Sequence, residues 1–143
     1  MDQTAALRSN LPNDPKFEGQ WYLNANETAA PRIPQAWNLY LDYITTNDPE
    51  EVIVAVIDTG VDYNHPDLKN IMWTDGNGNH GYDYHNNDTD PMDDNGHGTL
   101  CAGIIAAQTN NSIGVASTSY GRKVKIMACK YVKDNLKPRG ICF

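Results

Sequence analysis

The sequence predicts an α/β domain built on a parallel central sheet, and three stretches predict it. Residues 52–57 (VIVAVI) are six consecutive apolar residues, mostly β-branched, the composition of a strand covered on both faces. Residues 124–130 (VKIMACK) read as a second buried strand. Between them, residues 96–108 (GHGTLCAGIIAAQ) open on glycines and continue as small apolar residues, the pattern of a helix packed closely against a sheet. Strand, helix, strand, with a long excursion between, is α/β organisation.

Taken in chain order, residues 1–33 are polar and rich in Pro and Asn, with NDPKFEGQWYL the one cohesive piece, and they read as an N-terminal arm extended over a surface. Residues 34–46 (PQAWNLYLDYITT) space Ala36, Trp37, Leu39 or Tyr40, and Tyr43 or Ile44 at helical intervals behind a proline suited to a first turn. A short helix follows from that spacing. The strand at 52–57 delivers Asp58 to its carboxyl end, where open α/β sheets place ligands and chemistry. Residues 75–96 form a long loop rich in Asn, Gly and Asp, with a short strand around 81–84. No repeat and no linker interrupts residues 34–143, and the length suits one core behind the arm.

Eighteen acidic against eleven basic residues give a net charge of -7 with no Lys/Arg stripe, which excludes nucleic acid and anionic membrane as expected partners and suits metal cations. Cys101, Cys129 and Cys142 form no even disulfide framework and match no CxxC spacing. The redox compartment stays open. The first twelve residues lack the apolar core of a signal peptide, and no run approaches the roughly 18 apolar residues of a membrane span.

The apolar run at 52–57 ends in Asp58-Thr59-Gly60, which admits two readings. An aspartic protease site needs a second catalytic Asp sharing the proton. Only one Asp-Thr-Gly is present, so that reading requires a homodimer. The residues that follow favour the other. DTGVDYNHPDL from Asp58 and NGHGTLCAG from Asn95 resemble the Asp and His signatures of the subtilisin-like serine proteases, the subtilases of peptidase family S8, in family order. NNSIGV at residues 110–115 and DPKFEGQWYL at residues 14–23 are similar to further family segments, the latter to the start of kexin-like catalytic domains. The resemblance runs from Asp14 to about Lys133 and implies the N-terminal portion of a three-layer subtilisin-like fold, so that residues 34–143 are an incomplete catalytic domain.

An imidazole acting as general base presents one nitrogen to the nucleophile while the other donates to a fixed acceptor. Asp58 on a strand end and His97 at a helix start are both held by rigid elements, and glycines at 96 and 98 allow close approach to His97. The resemblance assigns Asp58 the role of holding the His97 tautomer and stabilising its imidazolium, and His97 that of taking a proton from a serine. The serine is the missing member. No Gly-Thr-Ser-Met-Ala-like string occurs, and Ser112, Ser117 and Ser119 match no nucleophile motif and read as solvated loop serines. Losing the nucleophile costs on the order of a millionfold in turnover, and losing the oxyanion donor about 100- to 1000-fold more. Negligible activity of this chain alone is therefore expected, as is a truncated or mis-spliced reading frame ending in the atypical tail NLKPRGICF. The rival reading is a non-catalytic calcium-binding remnant.

The resemblance also implies a structural Ca2+ held by the carboxylates of Asp14 and Asp67, the Asn111 side chain and the backbone oxygens of Thr109, Ile113 and Val115. Its further implications are protein or peptide substrates, a propeptide partner, and a secreted or secretory-pathway location. Five aspartates, Asp83, Asp88, Asp90, Asp93 and Asp94, crowd before His97 and suit a second, weaker calcium loop no better than a solvated acidic loop. The segment from Asp75 fails as an EF-hand, with His80 where Gly is needed and Asn86 where Glu is needed. His65, His80, His85 and His97 show no zinc-ligand spacing and, His97 apart, read as exposed. Cys101, one turn after His97, offers a thiol beside it but reads as a small buried apolar residue.

Overall fold

Three strands lie side by side and all parallel, in the order β1-β3-β2, the first two of these rich in apolar residues. The computed structural model describes residues 11–23 and 31–132. After a 3-10 turn at Phe17–Gly19 come helix α1 at Ile33–Asn47, strand β1 at Val52–Asp58, strand β2 at Gly81–Asp83, helix α2 at His97–Ala106 and strand β3 at Val124–Lys130. Each predicted element appears within a residue or two of its predicted bounds. The tail NLKPRGICF with Cys142, and residues 1–10 and 24–30 of the arm, lie outside the described residues.

The register pairs Asp58 of β1 and Asp83 of β2 with the same residue of β3, Lys130. All three strands therefore end together, and the carboxyl edge of the sheet gathers their charged side chains. Helix α2 covers one face. Its Ala102 and Ala106, with Ala107 just beyond, are fully buried in a core with Val56, Ile126, Ala128, Val61, Leu68 and Ile71. Small side chains on the helix let its axis come close to the strands, which is what brings the first residue of α2 within reach of the last residue of β1.

The expectation that residues 52–57 are covered on both faces needs correction. Val54 and Val56 face the core, but Ile53 and Ile57, alternating to the opposite face, are 52% and 70% exposed. No described element lies over them, and β1 pairs only with β3 among the described residues. The architecture of the described residues is thus α/β, a parallel sheet with one helical layer over one of its faces.

Helix α1 packs away from that core. Trp37 is buried between Phe17 and Tyr120, and its indole N–H donates to the Thr118 carbonyl at 3.0 Å. The described part of the arm folds onto this cluster, with Phe17 and Leu23 buried in it. The Gln20 amide accepts from the Ala116 N–H at 2.7 Å and donates to the Ala116 carbonyl at 2.8 Å, replacing the backbone partner a strand would have supplied.

Candidate active site

Asp58 is the last residue of β1 and His97 the first of α2, and the close helix–sheet packing brings them together. Both oxygens of the Asp58 carboxylate lie within hydrogen-bond distance of His97 Nδ1, at 2.7 and 2.8 Å. Asp58 Oδ1 also accepts the Thr59 N–H at 2.7 Å. The aspartate side chain is 18% exposed and the histidine 59%. With Nδ1 engaged, Nε2 is the nitrogen left for an incoming partner, and no described residue bonds to it. Asp58 therefore pairs with an imidazole, the partner that the subtilisin-like resemblance assigns to it.

A second carboxylate fixes this geometry. Asp93 accepts the N–H groups of Asn95 at 3.0 Å, Gly96 at 2.9 Å and Thr99 at 2.9 Å, together with the Thr99 hydroxyl at 2.5 Å. The N–H groups of Gly96 and Thr99 are orphan donors at the start of α2, so Asp93 caps the helix. It also accepts the Thr59 hydroxyl at 2.8 Å, while Thr59 Oγ1 accepts the Gly98 N–H at 3.0 Å. One side chain thus ties the end of β1 to the beginning of α2. Burial would raise the Asp93 carboxyl, but the hydrogen bonds from Thr99, Gly96 and Asn95 outweigh it and hold the group below its usual range.

The two glycines flanking His97 serve different needs. Gly96 takes φ 99°, a left-handed turn into the helix. At Gly98 the need is space, because a Cβ there would lie 2.1 Å from the Gly60 carbonyl oxygen and 3.1 Å from Asp58 Cβ. Lys130, buried at the end of β3, donates to the Met92 carbonyl at 2.8 Å and to Asp94 at 2.7 Å, and lies 4.0 Å from Asp83. It anchors the loop that carries Asp93. Sequence reasoning missed Thr59, Asp93 and Lys130 as parts of this site. The available signal was local: an aspartate two and three residues ahead of Asn95 and Gly96 forms an Asx-turn that can cap the helix behind it.

The residues expected to hold calcium also converge. Asp14 and Asp67 are buried, at 4% and 1% exposure. Asn111 links them, its N–H donating to Asp14 at 3.3 Å and its side-chain nitrogen to Asp67 at 2.8 Å. Asp14 also accepts the Asn110 N–H at 2.7 Å, and Asp67 the Val115 N–H at 3.0 Å. Burial, aided by the negative charge of Asp67, pushes the Asp14 carboxyl up in spite of those backbone donors. Among the described residues no Lys or Arg pairs with either carboxylate, and no backbone amide donates to the carbonyls of Thr109, Ile113 or Val115. Buried like charges without a counter-ion beside unengaged carbonyls are a donor set suited to a hard cation.

Several other readings change. Ser117 is fully buried, its N–H donating to Thr109 Oγ1 at 2.9 Å, so it is no solvated loop serine. His65 and His80 are half-buried: His65 Nδ1 accepts the Asp67 N–H, and His80 packs on Tyr63 with ring centroids 4.7 Å apart. His85 is exposed as expected. The acidic loop is not simply solvated, because Asp83 is buried and accepts the His85 and Asn86 N–H groups, and Asp94 meets Lys130. Cys101 is half-buried, with Sγ 3.8 Å from His97 Nδ1, and so is more than a core filler.

The model of the subtilase family matches residues 50–138. The chain is 44% identical over 115 residues to a thermophilic serine proteinase of Bacillus sp. (strain AK1), covering 79% of this chain and 24% of that one. It is 41% identical over 124 residues to thermitase of Thermoactinomyces vulgaris, covering 87% and 37%, and 33% identical over 121 residues to bovine furin, covering 79% and 14%. Among solved structures, a protease from Pseudoalteromonas arctica PAMC 21717 superposes with a TM-score of 0.58 at 30% identity, over 80% of this chain and 38% of that one. The chain thus spans between about a seventh and two fifths of the relatives it matches. A family match over more than half its length, centred on the Asp58 strand and the His97 helix, makes this chain a member of the subtilase family.

Proposed function

We propose that these residues supply the Asp and His of an Asp-His-Ser triad in a serine endopeptidase acting on protein substrates, the serine and the oxyanion donor coming from outside them. The observation that carries the reading is the Asp58–His97 pair, 2.7 Å apart and open to solvent on the histidine side. Asp58 accepts a hydrogen bond from Nδ1–H, which fixes the neutral tautomer with Nε2 unprotonated. His97 Nε2 takes the proton of an attacking serine, and the adjacent carboxylate stabilises the imidazolium that results. Asp93 and Thr59 act earlier, by fixing where the ring stands.

Subtilases generally bind calcium, and the ligand set fits: Asp14, Asp67 and Asn111 by side chain, with Thr109, Ile113 and Val115 by carbonyl. Asn111 points its amide nitrogen at Asp67, so holding an ion would turn that amide to offer oxygen. Bound calcium would join residues 11–23 to the loop at 109–115 and neutralise two buried charges. Occupancy at a hundred times Kd stabilises the fold by about 2.7 kcal/mol. Calcium is therefore expected to raise the melting temperature, and Asp67→Asn to abolish most of that gain.

A propeptide and a secretory destination belong to the same reading. No helix among the described residues is long and apolar enough to cross a membrane. The test is to isolate the native product, weigh it intact and treat it with a fluorophosphonate, which labels activated serines. A labelled product heavier than 143 residues is expected, with Asp58→Asn lowering kcat on peptides about 10^4-fold. A product that takes no label and cleaves no peptide would instead be a calcium-binding remnant.

A further inference from the structure

Asn-x-Ser/Thr triplets are acceptors of N-linked sugar, and they occur here at Asn26, Asn87 and Asn110. Asn26 lies outside the described residues. At Asn110 the loop is already committed: Oδ1 accepts the Asn13 N–H at 3.2 Å, the backbone N–H donates to Asp14 at 2.7 Å, and the middle residue, Asn111, donates to Asp67. The triplet Asn87-Asp88-Thr89 differs. All three residues are exposed, and among the described residues nothing bonds to Asn87 Nδ2 or to the Thr89 hydroxyl.

The turn that carries this triplet is firmly held. Asp83 and Asp88 exchange both backbone hydrogen bonds, at 2.9 and 3.1 Å, and close residues 84–87 into a tight loop. From beneath, the buried Asp83 carboxylate accepts the His85 and Asn86 N–H groups at 2.8 and 2.9 Å and the Asn86 side-chain amide at 2.8 Å. Asn87 itself takes φ 60°, a left-handed conformation that asparagine tolerates. Its Oδ1 accepts the Tyr82 hydroxyl at 2.9 Å, which leaves Nδ2 as the free end of the side chain. Tyrosine rings gather on the same edge of the sheet. The centroids of Tyr82 and Tyr84 are 5.0 Å apart and those of Tyr84 and Tyr131 6.5 Å, and Tyr84 and Tyr131 are exposed.

We propose that Asn87 is the acceptor of an N-linked glycan whose first sugar rests on the rings of Tyr82 and Tyr84. In the transfer, Asn87 Nδ2 gives up one proton to a base of the transferring enzyme and bonds to the anomeric carbon of N-acetylglucosamine. The bond from that carbon to the diphosphate of a lipid-linked oligosaccharide breaks, and the lipid diphosphate leaves with the electron pair. Asn87 Oδ1 keeps its bond to Tyr82, so the sugar is directed along the rings, and its C–H groups meet their negative faces. Large exposed rings in a cluster call for a cover, and the glycan provides it. Strand β2 is at the opposite side of β3 from β1, so the glycan guards one edge of the sheet and leaves the β1 edge free. The inference rests on the secretory destination proposed above, because the lipid-linked donor belongs to that pathway.

The test translates the full 143-residue chain behind a cleavable secretory leader in the presence of microsomes, and reads glycans as gel shifts reversed by an endoglycosidase. With Asn26→Gln and Asn110→Gln in place, a single glycan should remain. Asn87→Gln or Thr89→Ala should then remove it, and Thr89→Ser should keep it. A chain that takes no glycan at Asn87, or a glycan that persists in Asn87→Gln, overturns the site. For the aromatic seat, glycoprotein from a secreting eukaryotic host is trimmed to its first sugar. It should melt at a higher temperature than Asn87→Gln, and Tyr84→Ser should erase that difference; a difference left intact overturns the seat. In the native product, enzymatic release of the glycan in heavy-oxygen water should leave the label at position 87. A product glycosylated at Asn26 or Asn110 but bare at Asn87 again overturns the site. A wholly bare product, beside a microsomal chain glycosylated at Asn87, would remove the secretory destination and leave the acceptor standing, so the two fail separately.

Discussion

Gly98 shows how much one missing side chain decides. Its backbone lies against the Gly60 carbonyl, and a Cβ at 2.1 Å must push the first turn of α2 away from β1. Gly98→Ala is expected to cost about 1 to 3 kcal/mol by overpacking and to abolish the low-field Nδ1–H resonance of His97 in proton NMR, since the ring moves off Asp58. Retention of that resonance would mean the helix yields elsewhere. Asp93 sets a pH response. Its folded carboxyl is held below the ordinary value of 3.8, so its stabilisation is complete above that value and is lost as pH falls through the lower folded one. Asp83, which burial would raise but backbone donors from Asn86 and His85 hold low, adds to the same loss. Urea midpoints should thus fall as the pH drops below the ordinary value of 3.8, and fall less in Asp93→Asn, which can still cap the helix. Asp58 and His97 were legible in the sequence because their neighbours are held in fixed local patterns. The helix cap by Asp93 left a local signal, but its bond to Thr59, 34 residues away, and the burial of Ser117 against Thr109 did not, because both depend on how separate segments pack.

At the scale of the elements, periodicity carried most of the information. Alternation and β-branching placed β1 and β3, and small residues placed α2, because each signal reflects what a strand or helix must bury. Packing partners were less accessible. Nothing in PQAWNLYLDYITT states that Trp37 leaves the sheet to join Phe17, Leu23 and Tyr120 in a separate cluster. Trp37→Ala removes the largest buried side chain of that cluster and strands the Thr118 carbonyl, so a loss of about 3 to 5 kcal/mol is expected in chemical denaturation. Amide exchange should then rise in α1 and in residues 116–120 while the core of α2 and β3 stays protected. Equal loss of protection in both clusters would show that the two cores unfold as one.

For the molecule as a whole, the feature with most consequence is the sheet face that the described residues leave open. Among the described residues Ile53 and Ile57 are exposed beside a β1 edge that pairs with no further strand, the arrangement that invites strand-to-strand association. The chain is expected to self-associate at micromolar concentration, and Ile53→Lys with Ile57→Lys to return it toward monomer in sedimentation velocity, with circular dichroism unchanged. A wild type that sediments as monomer would show the face is tolerated. The sequence read β1 as covered on both faces, and the exposed Ile53 and Ile57 escaped that reading because burial of a β1 side chain depends on layers remote in the polymer. The pairing of β1 with β3 has a further outcome during synthesis. Val52 meets Val124, 72 residues later, and a ribosome adding about 5 to 20 residues per second takes roughly 4 to 14 seconds to make them. For that interval VIVAVI leaves the exit tunnel without its mate, an interval in which a chaperone that grips short apolar segments has first claim on it.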